Sequence, residues 1–305
     1  MLSFIGRRVL HSAIALIGLI VLVFFLARLT GSPADLYLPV ETPENLRLEY
    51  AERNGFNDPV LVQFGRFLAG VVTFDFGNSV RYSRPALGLV LDAFPVTLLL
   101  AAVSMLAAMV VAVVTGALAA ARPNGVFDRI ASILALLGAS IPGFWLAIVF
   151  VLLFAVQLRW LPTSGMGGPA YWVMPVLVLM IRPAGLIVQV VRGSMISALS
   201  SAYVKTARAK GLPTWRIIFV HALRNAMLPV ITIAGDQAAG MINGAVVVET
   251  IFGFSGVGKL MIDAITYRDF AVIQATVTVT AVAIFVLNIL IDIGYALLDP
   301  RIQHG

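Results

Sequence analysis

Cysteine is absent from the chain, which excludes disulfide frameworks, thiolate metal sites and cysteine nucleophiles together. Charge is scarce as well. Only 12% of the 305 residues are Asp, Glu, Lys or Arg, against about 25% in a typical soluble domain. Since 60% of the residues are hydrophobic, the composition reads as that of a membrane protein. Histidine is also rare: His11, His221 and His304 lie far apart, which argues against a histidine metal cluster. No repeat with a period of 20–50 residues and no low-complexity tract is visible.

What the chain has instead is long apolar runs, most of them uncharged. A helix needs about 20 apolar residues to cross the hydrocarbon core. Runs of that kind predict six spans: Val9–Ala27, Ala93–Ala121, Ile130–Leu158, Ala170–Val191, Asn225–Val248 and Ala271–Ile291. The first is longer than the ~7–15 residues of a signal-peptide core, so it reads as an uncleaved span. The expected fold class is an all-α membrane protein with six transmembrane helices. Residues 1–29 hold the N-terminus and first span, 30–92 an extramembrane segment, 93–299 a five-helix core and 300–305 a tail.

The net charge of +6 would suit nucleic acid, but its distribution points to topology instead. One side of the six-span arrangement takes the N-terminus, residues 122–129, residues 192–224 and the tail. That side collects 11 Lys/Arg and two acids, and the other collects eight Lys/Arg and 11 acids. Basic residues in short loops stay cytoplasmic, so both termini face the cytoplasm and residues 30–92 face outward. That outward segment carries acids, arginines and aromatics such as Tyr37, Phe74 and Tyr82.

The densest positive charge lies in residues 205–229, "KTARAKGLPTWRIIFVHALRNAMLP", with Lys205, Arg208, Lys210, Arg216 and Arg224 and no acid. Topology explains the sign but not the local order of residues. Tyr203–Lys210 favours a helix, and Gly211 stands where a left-handed cap ends one. Pro213 suits the first turn of the next. Trp215, Ile217, Ile218, Phe219 and Leu223 are too apolar to be left in water. The segment therefore predicts a helix–turn–helix elbow that docks onto something, either anionic lipid or a partner protein with a groove.

"AYVKTARAKGLPTWRIIFVHALRNAMLP" resembles the cytoplasmic loop of permease subunits of bacterial ATP-binding-cassette importers, in their dipeptide/oligopeptide branch. Thr206-Ala207-Arg208-Ala209-Lys210-Gly211 matches that branch's form of the EAA motif. His221-Ala222-Leu223-Arg224-Asn225 and Leu228-Pro229 match its second half. Lys205 stands where the general motif has Glu. Further matches are "FDFGNSVRYSRP", "SIPGFWLAIVFVLLFAV", "LPTSG", "VVVETIFGFSGVGKL" and "ALLDPR", so the resemblance covers nearly the whole chain. One departure is "LTGSPAD" after the first span, where the branch usually has a Pro-Gly-Asp-Pro turn.

The resemblance implies a type I importer permease fold in the bacterial inner membrane, with a coupling loop at 192–227. Thr206, Ala207, Arg208, Ala209, Lys210, Gly211, Leu212, Pro213, His221 and Arg224 would contact an ATPase subunit. The implied partners are a second homologous permease, two ATPase subunits, a periplasmic solute-binding protein and the lipid bilayer, with no nucleic acid. ATP and Mg would sit on the ATPase partners, and this chain would bind no cofactor and catalyse nothing. "GFSGVGKL" at 253–260 nearly spells a phosphate-binding loop, but Leu260 replaces its hydroxyl residue and a span precedes it, so an outer glycine-rich turn is expected.

Ionisable groups inside spans are costly and usually face a cavity or a partner. Arg182 and Asp236, with Gln237 and Asn243 nearby, are thus candidates to line the path; alternatively Arg182 and Asp236 pair with each other. Pro183 predicts a bend or break beside Arg182. Ser140, Ser104 and Thr97 are expected to bond back to their own helices. Asp292, Asp299 and Arg301 are expected to anchor the last span. A stand-alone ion-coupled transporter is the alternative function, with Asp236 as its only candidate carboxylate and no inverted repeat visible.

Overall fold

The computed structural model describes residues 2–29, 42–53 and 55–298, and these are helical almost throughout. Among them, one isolated bridge between Asn78 and Pro85 is the only strand-like pairing. Tyr37, the "LTGSPAD" turn, Asp299 and Arg301 lie outside the described residues. Two compact units are distinguished: residues 1–96 with 255–289, and residues 97–254 with 290–305.

The first unit contains α1 (Leu2–Leu29), α2 (Glu44–Arg53), α3 (Val60–Thr73) and the start of α4 (Ala86–Ala121). It also holds α10 (Val257–Thr266) and most of α11 (Phe270–Leu298). Helix α4 starts at Ala86 rather than Ala93, because Pro85 sits before its first turn and Arg84 pairs with Asp92 across two turns at 2.9 Å. The helix continues through Pro95. A core of Phe76, Ala86, Leu89, Val90, Val257, Val272 and Ala275 ties the start of α4 to α10 and α11.

The second unit contains the rest of α4, α5 (Val126–Ser140), α6 (Gly143–Gln157), α7 (Pro169–Leu199), α8 (Ala202–Ala209) and α9 (Thr214–Phe252). Helices α1, α4, α7, α9 and α11 are long and apolar enough to cross a membrane. The predicted span Ile130–Leu158 is not one helix. It is α5 and α6, bent by 104° at Ser140–Pro142. Pro142 has no N–H to give and confines Ile141 to extended backbone (φ −74°, ψ 129°), so the helix must stop there and restart at Gly143. Each arm has 15 residues or about 22 Å, too short to cross alone. The charge rule makes the bent pair one crossing: Arg122 and Arg129 flank its start on the basic side, and α7 must return the basic loop to that side.

Helix α7 begins with Pro169 and stays unbroken through Pro175 and Pro183, contrary to the expected break beside Arg182. Buried Pro183 belongs to the α7 face that packs on neighbouring helices, which supply the order a lone proline would disturb. Helices α5 and α7 approach so closely that a Cβ on Gly185 would collide with the Ala135 carbonyl oxygen and come within 3.0 Å of the Ala139 nitrogen. Both obstacles are backbone. Gly185→Ala is therefore expected to push α5 from α7 at about 1–3 kcal/mol. A lower thermal transition of the detergent-solubilised protein checks this.

Candidate functional site

The basic elbow is built on a core of alanines and larger aliphatic residues. Ala112, Ala117 and Ala120 of α4, Ile187, Val191 and Met195 of α7, and Ala226 and Val230 of α9 form its floor. Val204, Ala207, Ile217, Ile218 and Ala222 of the elbow are buried in that floor. Helix α8 ends as its sequence predicts. Gly211 has φ +74°, its N–H donates to the Arg208 carbonyl at 2.9 Å, and the Leu212 N–H donates to that of Ala207 at 3.3 Å. This paired arrangement is a Schellman cap. Leu212 packs on the same core, which closes the motif's apolar contact.

Pro213 lies one residue earlier than expected, just before the first turn of α9, with extended backbone. The second arm of the elbow is not a separate short helix but the leading end of α9. That helix has 39 residues, about 58 Å at 1.5 Å per residue and nearly twice the hydrocarbon thickness. A π-helical stretch at Ile217–Ala222 widens one turn where the arm meets the core.

Because one face is packed inward, the opposite face is defined. Trp215 is 58% exposed, and Tyr203, Phe219 and Val220 are exposed with it. Lys205, Thr206, Arg208, Ala209, Lys210, Gly211, Pro213, Arg216 and Arg224 are also exposed, while Leu212 and His221 are half-buried. The Arg216 guanidinium lies 5.4 Å from the Trp215 ring. Of the small residues in the motif, Ala207 faces the chain's own core, and Ala209 and Gly211 remain at the surface. The result is a rigid aromatic and cationic platform with no acid on it.

Next to the elbow is a clamp that the sequence reading did not pair. Asp128 in the first turn of α5 is buried and accepts both the Nε–H and an Nη–H of Arg192 on α7, the latter at 2.8 Å. The Asn124 N–H at 2.8 Å and the Ser132 hydroxyl at 3.5 Å also donate to Asp128. Gln189 on α7 donates to the Ser132 carbonyl at 3.1 Å. The Asp and the Arg are 64 positions apart, so spacing alone gave no signal.

Arg182 and Asp236 do not form an ion pair. Asp236 instead accepts from the neighbouring Gln237 at 3.0 Å, and both Arg182 and Asp236 are exposed on the isolated chain. Thr232, Asp236, Gly240, Asn243, Val247 and Thr250 are all exposed at helical spacing on α9. They make a largely polar or small stripe on a helix that crosses a membrane. Deeper in the second unit, Thr97, expected to bond back to its own helix, reaches across to α9. It donates to the buried Glu249 carboxyl at 2.6 Å. Ser140 does bond back, to the Leu136 carbonyl at 2.8 Å, whereas buried Ser104 has no hydroxyl partner among the described residues.

On the first unit, Asp269 accepts from the Ser79 hydroxyl at 2.5 Å and from the Arg81 and Val272 N–H groups. The Arg81 guanidinium covers the Tyr267 ring at 3.5 Å. These contacts hold the 77–85 loop, with Phe74 and Tyr82 exposed beside it. The near-phosphate-loop segment is a helix–turn–helix corner between α9 and α10, and Lys259 there pairs with Asp263 at 2.7 Å. No strand leads into it, so it lacks the strand–loop–helix geometry of a phosphate cradle.

Residues 112–304 match the family described as binding-protein-dependent transport system inner membrane component. The chain is 36% identical to the oligopeptide transport system permease protein AppB of Bacillus subtilis, covering all of both chains. It is 38% identical to the oligopeptide transport system permease protein OppB of Haemophilus influenzae, again over both whole chains. The dipeptide transport system permease protein DppB of Alkalihalophilus pseudofirmus is 32% identical over the full length of both. A solved amino acid ABC transporter aligns with 70% of this chain and 94% of that one, at a TM-score of 0.49 and 19% identity; that loose likeness carries none of the assignment. A family match across the helical core, together with whole-length relatives, leads to one conclusion: the chain belongs to the inner membrane components of binding-protein-dependent transport systems.

Proposed function

We propose that this chain is the membrane-spanning subunit of an ATP-driven peptide importer, working beside a second permease, two ATPase subunits and a solute-binding protein. The observation that carries the reading is the two-faced elbow. One face is locked into α4, α7 and α9, and the other presents Tyr203, Trp215, Phe219 and five cations with no acid among them. An ATPase groove with an apolar floor and acidic rim would complement that face, the charges adding specificity more than affinity. The relatives named for oligopeptide and dipeptide transport support the cargo class.

The continuity of α9 supplies the mechanism. Elbow and polar stripe are one helix, so closure of two ATPases on ATP, by moving the elbow, also moves Asp236 and Asn243. ATP and Mg stay on the partner subunits. The stripe faces the path between the two permeases, because a polar face cannot be left against hydrocarbon. Phe74, Tyr82 and the 77–85 loop belong to the outward surface on which the binding protein lands. A stand-alone ion-coupled carrier would need carboxylates grouped in the spans, whereas among the described residues the side-chain partner of Asp236 is the neighbouring Gln237.

Reconstitution in vesicles tests the whole reading. Uptake of a labelled oligopeptide is expected only with ATP, the ATPases and the binding protein, and steady uptake by this chain alone would overturn it. Arg182→Ala and Asp236→Ala are each expected to lower uptake several-fold while the ATPases still co-purify. Full uptake in both variants would remove these residues from the path.

A further inference from the structure

Helix α3 is apolar yet has only 14 residues, about 21 Å, which is too short to cross a bilayer. One side of it packs on the protein. Gln63 is buried and donates to the Phe56 and Asp58 carbonyls at 2.9 and 2.8 Å. The Phe64 ring lies 5.2 Å from that of Phe24 and 5.8 Å from that of Phe25, and Phe67 stacks on Phe24 at 5.4 Å. Phe24 and Phe25 belong to the last turns of the apolar stretch of α1, at its outer end by the charge map. Helix α3 is therefore held at the level where hydrocarbon meets outer headgroups.

Its exposed side is not that of a helix facing water. Leu61 is 76% exposed, Val72 78% and Val62 46%, and Gly65 and Ala69 complete the same quarter of the helix. Arg66 and Thr73 form a narrow polar edge beside it, with Arg66 paired to Asp58. Three sectors follow one another around the axis: protein-facing, exposed apolar and polar.

We infer that α3 lies in the plane of the outer membrane–water interface, with Leu61, Val62 and Val72 inserted among lipid chains. Lipid is the occupant because the apolar quarter continues an existing lipid-facing surface. Phe25 touches Phe64 and is itself partly exposed, and Leu22 and Leu26 beside it on α1 are exposed along the span. An amphipathic helix of this kind gains from burying its apolar face in the headgroup and acyl boundary. It anchors the outward segment to the bilayer at a fixed height and tilt.

The absence of cysteine makes the test direct, since any introduced thiol is unique in this chain, and the same assembly without the introduced cysteine gives the background label. Leu61→Cys, Val72→Cys and Arg66→Cys variants of the full chain, with the subunits that accompany it, are spin-labelled in phosphatidylethanolamine–phosphatidylglycerol vesicles. Gly65→Cys serves as a further reporter on the apolar quarter, because a Cβ there meets nothing within 4 Å. Labels at 61, 65 and 72 should collide more with dissolved oxygen than with a water-soluble nickel chelate, and the label at 66 should do the reverse. Chelate access at 61, 65 and 72 should fall several-fold below that at 66, because a charged, hydrated chelate is excluded from hydrocarbon. Two outcomes overturn the inference. Equal chelate access at 61, 72 and 66 means that water bathes the face, and exclusion of both oxygen and chelate means that protein covers it.

Discussion

Gly211→Pro is expected to abolish co-purification of the ATPase subunits and all ATP-dependent uptake, while the chain still elutes as a folded particle. The Gly211 backbone has φ +74°, whereas proline is confined near −65°. The substitution also removes the N–H that donates to the Arg208 carbonyl. The reversal between α8 and α9 would be lost, and with it the common surface of Lys205, Arg208 and Trp215. Gly211→Ala separates the two effects. It keeps the N–H and meets no atom within 4 Å, but it holds an L-residue in the left-handed region at about 1–2 kcal/mol. Partial uptake is expected from it. If the proline variant retains its ATPases in normal proportion, the elbow is not the coupling element.

Arg192→Met should cost more stability than any other single change at the cytoplasmic end of the second unit. Asp128 is 2% exposed, and the substitution leaves it with only the Asn124 N–H and the Ser132 hydroxyl. Breaking a buried pair from one side typically costs about 3–5 kcal/mol, because the remaining charge is buried without compensation. Part of the Arg192 side chain still reaches solvent, so the lower end of that range is expected here. Asp128→Asn combined with Arg192→Met should recover much of the loss, since no isolated charge remains. Thermal transitions of the four proteins in one detergent give the coupling directly. Additive losses would mean that the pair does not clamp α5 to α7.

Much of this protein is legible in its sequence because the bilayer imposes strong one-dimensional rules. Long apolar runs mark α1, α4, α7, α9 and α11, and the Lys/Arg asymmetry orients them. Gly211 and Pro213 mark the elbow, because each residue type has few backbone options. Residues 130–158 are one crossing but not one continuous helix, because hydropathy averages over the Ser140–Gly143 break, and "SIPG" is a local signal that the averaging hides. At Pro183 the local signal misled in the other direction, since close packing around α7 keeps that helix continuous.

Composition and order along the chain thus determined that this is a six-crossing membrane subunit with its termini on one side, and where the chain reverses between α8 and α9. Tertiary structure alone decided which face of the elbow is free, that Asp128 meets Arg192, that Thr97 meets Glu249, and that Arg182 and Asp236 stay apart. The reason is physical. Insertion and turn formation depend on residues within about one span of each other, so their rules are written in neighbouring letters. Pairings between helices depend on rotation about each helix axis, and packing in three dimensions sets that rotation.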